Sequence, residues 1–166
     1  MDGHTNKILK NISVPGILDP DNPNYNPLIA INPNTNRLYV DDNSGLNIMY
    51  TSTNKIIGSI KEINGSNSIA VNSNTNKIYA YKILSGNTTS NEMDCRLMTS
   101  KLYELDGSTN KIINTLQLNN ITLNQVDVNP LTNKLYLLGS TCSTEGYFHG
   151  SEISLLFVVK PSNEEK

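Results

Sequence analysis

The sequence predicts an all-β fold of four-stranded antiparallel units repeated radially, that is, the blades of a β-propeller. Three observations predict it. The tripeptide Thr-Asn-Lys/Arg occurs six times, at Thr5–Lys7, Thr35–Arg37, Thr53–Lys55, Thr75–Lys77, Thr109–Lys111 and Thr132–Lys134. The copies alternate between two classes, with a period near 40 residues over the best-matched units, the spacing of propellers and arrays. Short runs rich in β-branched residues and tyrosine flank every copy, and no segment holds a helical period over three turns.

The first class reads Asn-x-x-Thr-Asn-basic-apolar-Tyr, at Asn32–Tyr39, Asn72–Tyr79 and Asn129–Tyr136. It predicts a hairpin turn. The leading Asn caps the turn through its side chain, Pro33 and Pro130 pre-set φ, and Asn36 takes a left-handed position that closes it. The second class is Thr-Asn-Lys-Ile plus an apolar residue, at Thr5–Leu9, Thr53–Ile57 and Thr109–Ile113, entered from Asp106-Gly107 in the last copy.

The strands follow in register. The first strand of each unit is expected at 28–31, 68–71 and 125–128, and the second at 37–41, 77–82 and 134–138. The third falls at 46–50, 101–105 and 152–159, and the fourth at 55–60, 111–118 and, at the start of the sequence, 7–14. The units cover 28–62, 67–118 and 124–159 plus 7–14, one domain spanning 1–166. Twelve strands make three blades, fewer than the four to eight blades of a closed propeller. The strand at 7–14 is expected to complete the last blade in cis or in trans. In trans, two copies would close a six-bladed homodimeric ring. The other expectation is that the sequence is a piece of a larger propeller.

Composition narrows the function classes. Asn accounts for 26 of 166 residues, while apolar residues make up 37% and charged residues 17%. The net charge of −2 and the lack of a basic stripe exclude nucleic acid as a partner. No run approaches the ~18–20 apolar residues of a membrane-spanning helix. No basic n-region followed by an apolar h-region opens the sequence. The compartment stays open: cytoplasmic, or extracellular if the sequence belongs to a longer exported protein. Sequons at Asn11, Asn64, Asn87 and Asn120 are no more than chance supplies in so Asn-rich a chain.

Ile29–Val40 (Ile-Ala-Ile-Asn-Pro-Asn-Thr-Asn-Arg-Leu-Tyr-Val) and Ile69–Ala80 (Ile-Ala-Val-Asn-Ser-Asn-Thr-Asn-Lys-Ile-Tyr-Ala) resemble the repeat of YVTN-family β-propellers. The resemblance extends over nearly the whole chain and implies the propeller fold without implying an activity. The sequence departs from the repeat at Tyr50-Thr51, where the family carries Asp-Gly, and in two long insertions.

The connections differ by end. The uniform Thr-Asn turns all fall at one end of the blades. The irregular segments Pro15–Pro27, Ile83–Ser100 and Gly139–Ser151 fall at the other, where binding is expected because loops on a rigid scaffold carry function. Tyr147, Phe148 and His149 form an aromatic cluster there that can stack on a ligand or dock a partner, or fold back as a satellite core. Tyr25 and Arg96 are the companion binding candidates. Asp19, Asp21 and Asp94, with Glu92 and Glu145, are weak candidates for a Ca²⁺ site, and ordinary solvated loop acids are the competing reading. Asp41–Gly45 faintly resembles a calcium loop and reads better as a tight turn. Cys95 and Cys142, in equivalent connections, either form a disulfide or remain two thiols. His4 and His149 are the only histidines and no Gly-x-Ser-x-Gly occurs, so catalysis is disfavoured.

The expectation is a non-enzymatic binding or scaffold module that presents its variable end to a protein or glycan. The alternative is a lyase- or lactonase-type propeller enzyme with a metal in the axial channel.

Overall fold

The computed structural model describes residues 4, 7–8, 10–12, 28–42, 44–84, 98–142 and 152–160. Among the described residues, eleven strands run in three antiparallel sheets. The first blade holds β1 (Leu28–Asn32), β2 (Arg37–Asp42), β3 (Gly45–Tyr50) and β4 (Lys55–Ile60), in that spatial order. The second holds β5 (Ser68–Asn72), β6 (Lys77–Leu84), β7 (Thr99–Asp106) and β8 (Lys111–Asn119). The third holds β9 (Thr122–Asn129), β10 (Lys134–Cys142) and β11 (Glu152–Val159). The described residues contain no helix, so none long and apolar enough to cross a membrane.

The first strands of the blades lie side by side, β1 against β5 and β5 against β9. This is radial packing with the first strand innermost and sheets stacked face to face. Alternation along each strand decides which neighbour a side chain meets, because successive residues of a strand point to opposite faces. In β6, Ile78 and Ala80 join Tyr39, Leu46, Ile48, Ile60 and Ile63 in a core between the first and second blades. The intervening Tyr79 and Tyr81 join Leu123, Val126, Val128, Leu135 and Leu137 in a core between the second and third. Burying each such aliphatic side chain contributes about 1.5–3 kcal/mol. The second blade, apolar on both faces, therefore holds the other two together.

The turns form as their residues dictate. Asn36, Asn54, Asn76, Asn110 and Asn133, the middle residue of each described Thr-Asn-basic copy, all have φ between 52° and 57°. Asparagine tolerates this left-handed region because its short amide hydrogen-bonds locally. In the first class, the leading Asn caps the turn as expected: Asn74 and Thr75 backbone N–H groups donate to Asn72 Oδ1, and those of Leu131 and Thr132 to Asn129 Oδ1. In the second class, Asn54 N–H donates to the Tyr50 carbonyl and Asn110 N–H to that of Asp106, both at 2.8 Å. Bulges at Ile48/Met49 and Glu104/Leu105 follow at equivalent points of these hairpins.

The strand expected at 7–14 is not formed by the residues described there. Lys7, Ile8, Lys10, Asn11 and Ile12 lie outside any strand and are exposed, and among the described residues the third sheet stops at β11. Within one chain the third blade is separated from the first by the second, so β11 is not the neighbouring edge this segment would reach. Several strands also run longer than expected, notably β9 and β10, which extend past the repeat to pair Thr122 with Ser140.

Candidate functional site

The two ends of the blades are built differently. At one end the Thr-Asn turns are hydrogen-bonded from blade to blade. Asn32 Nδ2 donates to Asn76 Oδ1 at 2.8 Å, and Asn72 Nδ2 to Asn133 Oδ1 at 2.9 Å. Alongside, Asn34 Nδ2 donates to the Ser73 carbonyl and Asn74 Nδ2 to that of Pro130. Arg37 Nη1 reaches Asn110 Oδ1 at 3.1 Å. Asn32 and Asn72 are fully buried, where an unpartnered amide would be costly. The asparagines thus join the blades as well as turn the chain. The relay stops at Leu131, which replaces the Asn34/Asn74 amide and is 88% exposed.

Within the second blade, Asp106 accepts from the backbone N–H groups of Ser108 and Thr109 and from the Thr109 hydroxyl. The Thr109 backbone bond is the main reason its carboxyl is held below the usual aspartate range. Tyr50-Thr51, the departure from the repeat, keeps the geometry: Thr51 N–H donates to the Asn36 carbonyl as Gly107 N–H does to that of Asn76.

At the opposite end the chain leaves β6 at Leu84 and re-enters β7 at Thr99, and leaves β10 at Cys142 to re-enter β11 at Glu152. β1 begins at that end too, with Leu28 opposite Asp41. All three long segments are therefore attached there. The residues that hold this end are polar and buried. Asp42 pairs with Gly45 across a two-residue turn, and its carboxylate accepts from Ser44 N–H, Ser44 Oγ and Asn47 Nδ2. These bonds are those of a tight turn between β2 and β3. Asp41 accepts from the backbone and hydroxyl of Ser66 in the link to the second blade.

Tyr147, Phe148, His149, Tyr25, Arg96, Asp19, Asp21, Asp94 and Cys95 lie outside the described residues, as do Glu92 and Glu145. Cys142 ends β10 opposite Glu152. Among the described residues no three His, Cys, Asp or Glu side chains converge as metal donors.

A site the sequence reading missed lies between the second and third blades. A cavity of about 280 Å³ is lined by Tyr79, Leu102, Glu104, Leu116, Leu135 and Val159, among others. Tyr79 and Glu104 are register partners on β6 and β7, so both side chains point the same way. Glu104, only 6% exposed, is ion-paired to Lys77 at 2.6 Å. The buried Tyr79 hydroxyl has no hydrogen-bond partner among the described residues. Burial first, and then the Glu104 charge, push its ionisation well above the usual phenol range. The cavity wall thus carries a buried phenol next to an ion-paired carboxylate. The signal was available: Glu104 interrupts the apolar run Leu102-Tyr103-Glu104-Leu105.

No protein-family model matches the chain, and no curated protein matches it in sequence. Solved structures do. Kuenenia stuttgartiensis hydrazine synthase superposes on 80% of the chain at 12% identity with a TM-score of 0.60. Pyrococcus horikoshii acylaminoacyl peptidase superposes on 77% at 11% identity with a TM-score of 0.51. The Cps50 (Swd1) β-propeller domain of Myceliophteria thermophila, at 9% identity over 79% of the chain and 41% of that domain's, is a weaker likeness, with a TM-score of 0.47. The chain spans 38% of the first of these and 24% of the second. Likeness at such identities concerns the fold alone. Radially packed antiparallel sheets, two of four strands and one of three among the described residues, with the first strand of each innermost, make this chain an arc of a β-propeller.

Proposed function

We propose that the chain is a non-catalytic propeller module of the YVTN-repeat kind, which presents the end opposite its asparagine turns to a protein or glycan partner. The observation that carries this reading is the contrast between the ends. One is locked blade to blade by side-chain amides, and the other carries every long connection on a frame of buried, hydrogen-bonded Asp41 and Asp42. A rigid frame with variable connections at one end is the usual arrangement of a binding surface. Tyr147 and Phe148 supply the aromatic anchors that recognition surfaces favour. Function in a surface or exported protein accords with this reading.

A glycan array and a pull-down with the full chain test it, beside the double variant Tyr147→Ala/Phe148→Ala. The expected result is binding that weakens at least roughly tenfold in the variant, the effect of losing a hot-spot pair. Binding of equal strength by both proteins would remove the site.

A further inference from the structure

The third blade ends at β11, whose outer edge has no strand beside it among the described residues. In the first and second blades that position is filled by β4 and β8. The cavity between the second and third blades lies beside this edge. Leu116 on β8 forms one wall and Val159 on β11 another, with Leu102 and Leu135 also lining it. An open sheet edge over an apolar trough is an acceptor for an added strand.

The sequence contains a segment of the same pattern. Lys7-Ile8-Leu9-Lys10-Asn11-Ile12 parallels Lys55-Ile56-Ile57-Gly58-Ser59-Ile60 of β4 and Lys111-Ile112-Ile113-Asn114-Thr115-Leu116 of β8. Ile112 packs against the core between the first and second blades, toward the preceding blade. Ile8 holds the equivalent position, so in the outer place of the third blade it would turn toward the cavity. In the single chain Ile8 is 70% exposed.

The connections show whose third blade this segment fits. β4 leads through 61–67 to β5 of the adjoining blade, and β8 leads through Asn120 and Ile121 to β9 of the next. By the same rule, a strand at 7–12 that leads to β1 belongs to a blade adjoining the first. That blade would pack on the face carrying Ile29 and Ile31, which are 71% and 56% exposed. In one chain the second blade covers the other face of the first, and no described residue supplies a blade here. The third blade has a matching free face. Leu138 and Leu156, register partners, and Val158 are 42%, 65% and 56% exposed there. Tyr136, the repeat equivalent of the fully buried Tyr39 and Tyr79, is only half-buried.

We propose that the segment 7–12 of a second copy of this chain adds to the edge of β11, with Ile8 entering the cavity, and that two copies close head to tail into a six-bladed ring through two identical junctions. The donated strand covers the open edge and fills the trough, and the same step seats the third blade of one copy on the first blade of the other. This inference rests on the propeller fold and is independent of what binds the loop end.

Light scattering of the full chain over a range of concentrations, with hydrogen exchange on β11, tests it. The native chain is expected to show the mass of two chains. Ile8→Asp is expected to show the mass of one, with its β-sheet circular dichroism retained and β11 exchange at least tenfold faster. Leu156→Asp, a change at an exposed position that should not impair folding, is expected to separate the copies as well. A native chain of single-chain mass overturns the proposal, as does a two-chain mass that neither variant alters. A single-chain protein that still binds its loop-end partner would overturn only this inference. A pair that binds no partner would leave it standing.

Discussion

Asn32 on the last position of β1 donates its side-chain amide to Oδ1 of Asn76, 44 residues away in the left-handed corner of the next blade, at 2.8 Å. Asn76 turns its own hairpin, and the Asn that leads the equivalent turn of the preceding blade fastens to it. The pair Asn72–Asn133 repeats the relation one blade further on. A motif whose visible role is to reverse the chain therefore also sets the spacing between blades.

The two roles separate by mutation. Asn133→Gly keeps a residue that adopts the φ of 52° without strain and deletes only the acceptor of the Asn72 amide. Asn133→Ala deletes the acceptor and adds about 1–2 kcal/mol of left-handed strain. Urea unfolding should therefore rank native above Gly above Ala, with Gly costing about 1–3 kcal/mol for the buried amide left without a partner. Equal stability of the native protein and Asn133→Gly would show that the inter-blade bond contributes nothing.

Gly107 is required for space. A Cβ there would lie 2.3 Å from Asn76 Oδ1 and 2.7 Å from the Asn76 carbonyl oxygen. Both atoms already hold bonds, one from Asn32 and one from Gly107 itself. Gly107→Ala is expected to lower stability by about 1–3 kcal/mol. Asn76→Gly in the same chain should recover part of that by removing the clashing amide. A thermal melt of the three variants measures it, and an unchanged midpoint for Gly107→Ala would refute the reading.

Lys77 and Glu104 form the ion pair that borders the cavity, 18% and 7% exposed in their side chains. Lys77→Met leaves a buried carboxylate beside Tyr79, and a loss on the order of 3 kcal/mol is expected. Lys77→Met combined with Glu104→Gln should restore most of it, since no charge is then left uncompensated. Denaturant midpoints for the single and double variants form the test, and additive losses would count against the pairing.

Burial holds Tyr39, Tyr79, Tyr81 and Tyr103 above the usual phenol range, with Tyr81 pushed up to about 12. In the unfolded chain these phenols ionise near ~10. Their folded values are higher, so the stability they contribute is complete below pH about 10 and is lost as pH rises through the folded values. Ultraviolet titration should show fewer phenolates at pH about 11 in the native chain than in the same chain in denaturant, and unfolding should become easier from there upward. Superimposable native and denatured titrations would contradict the burial.

The blade pattern was legible because it is written locally. Each turn needs an Asn that caps and an Asn that adopts positive φ, and each strand alternates between two apolar faces. Thr35-Asn36 and Thr75-Asn76 therefore marked their corners without any knowledge of the neighbouring blade. The cavity was not legible. It depends on Tyr79, Glu104 and Leu116 from three strands of one sheet meeting Leu135 and Val159 of another, a juxtaposition no single repeat contains.

The sequence alone thus determined the strand order, the three-blade count and the end at which the long connections attach, because hairpin chemistry and side-chain alternation act over a few residues. Only the tertiary structure decided that the repeat asparagines bind blade to blade, that Ile29, Ile31, Leu138 and Leu156 are exposed at the two ends of the arc, and that Ile8 lies exposed outside any strand. Those outcomes depend on which sheets come to lie face to face, and that is set by packing over distances that local sequence does not encode.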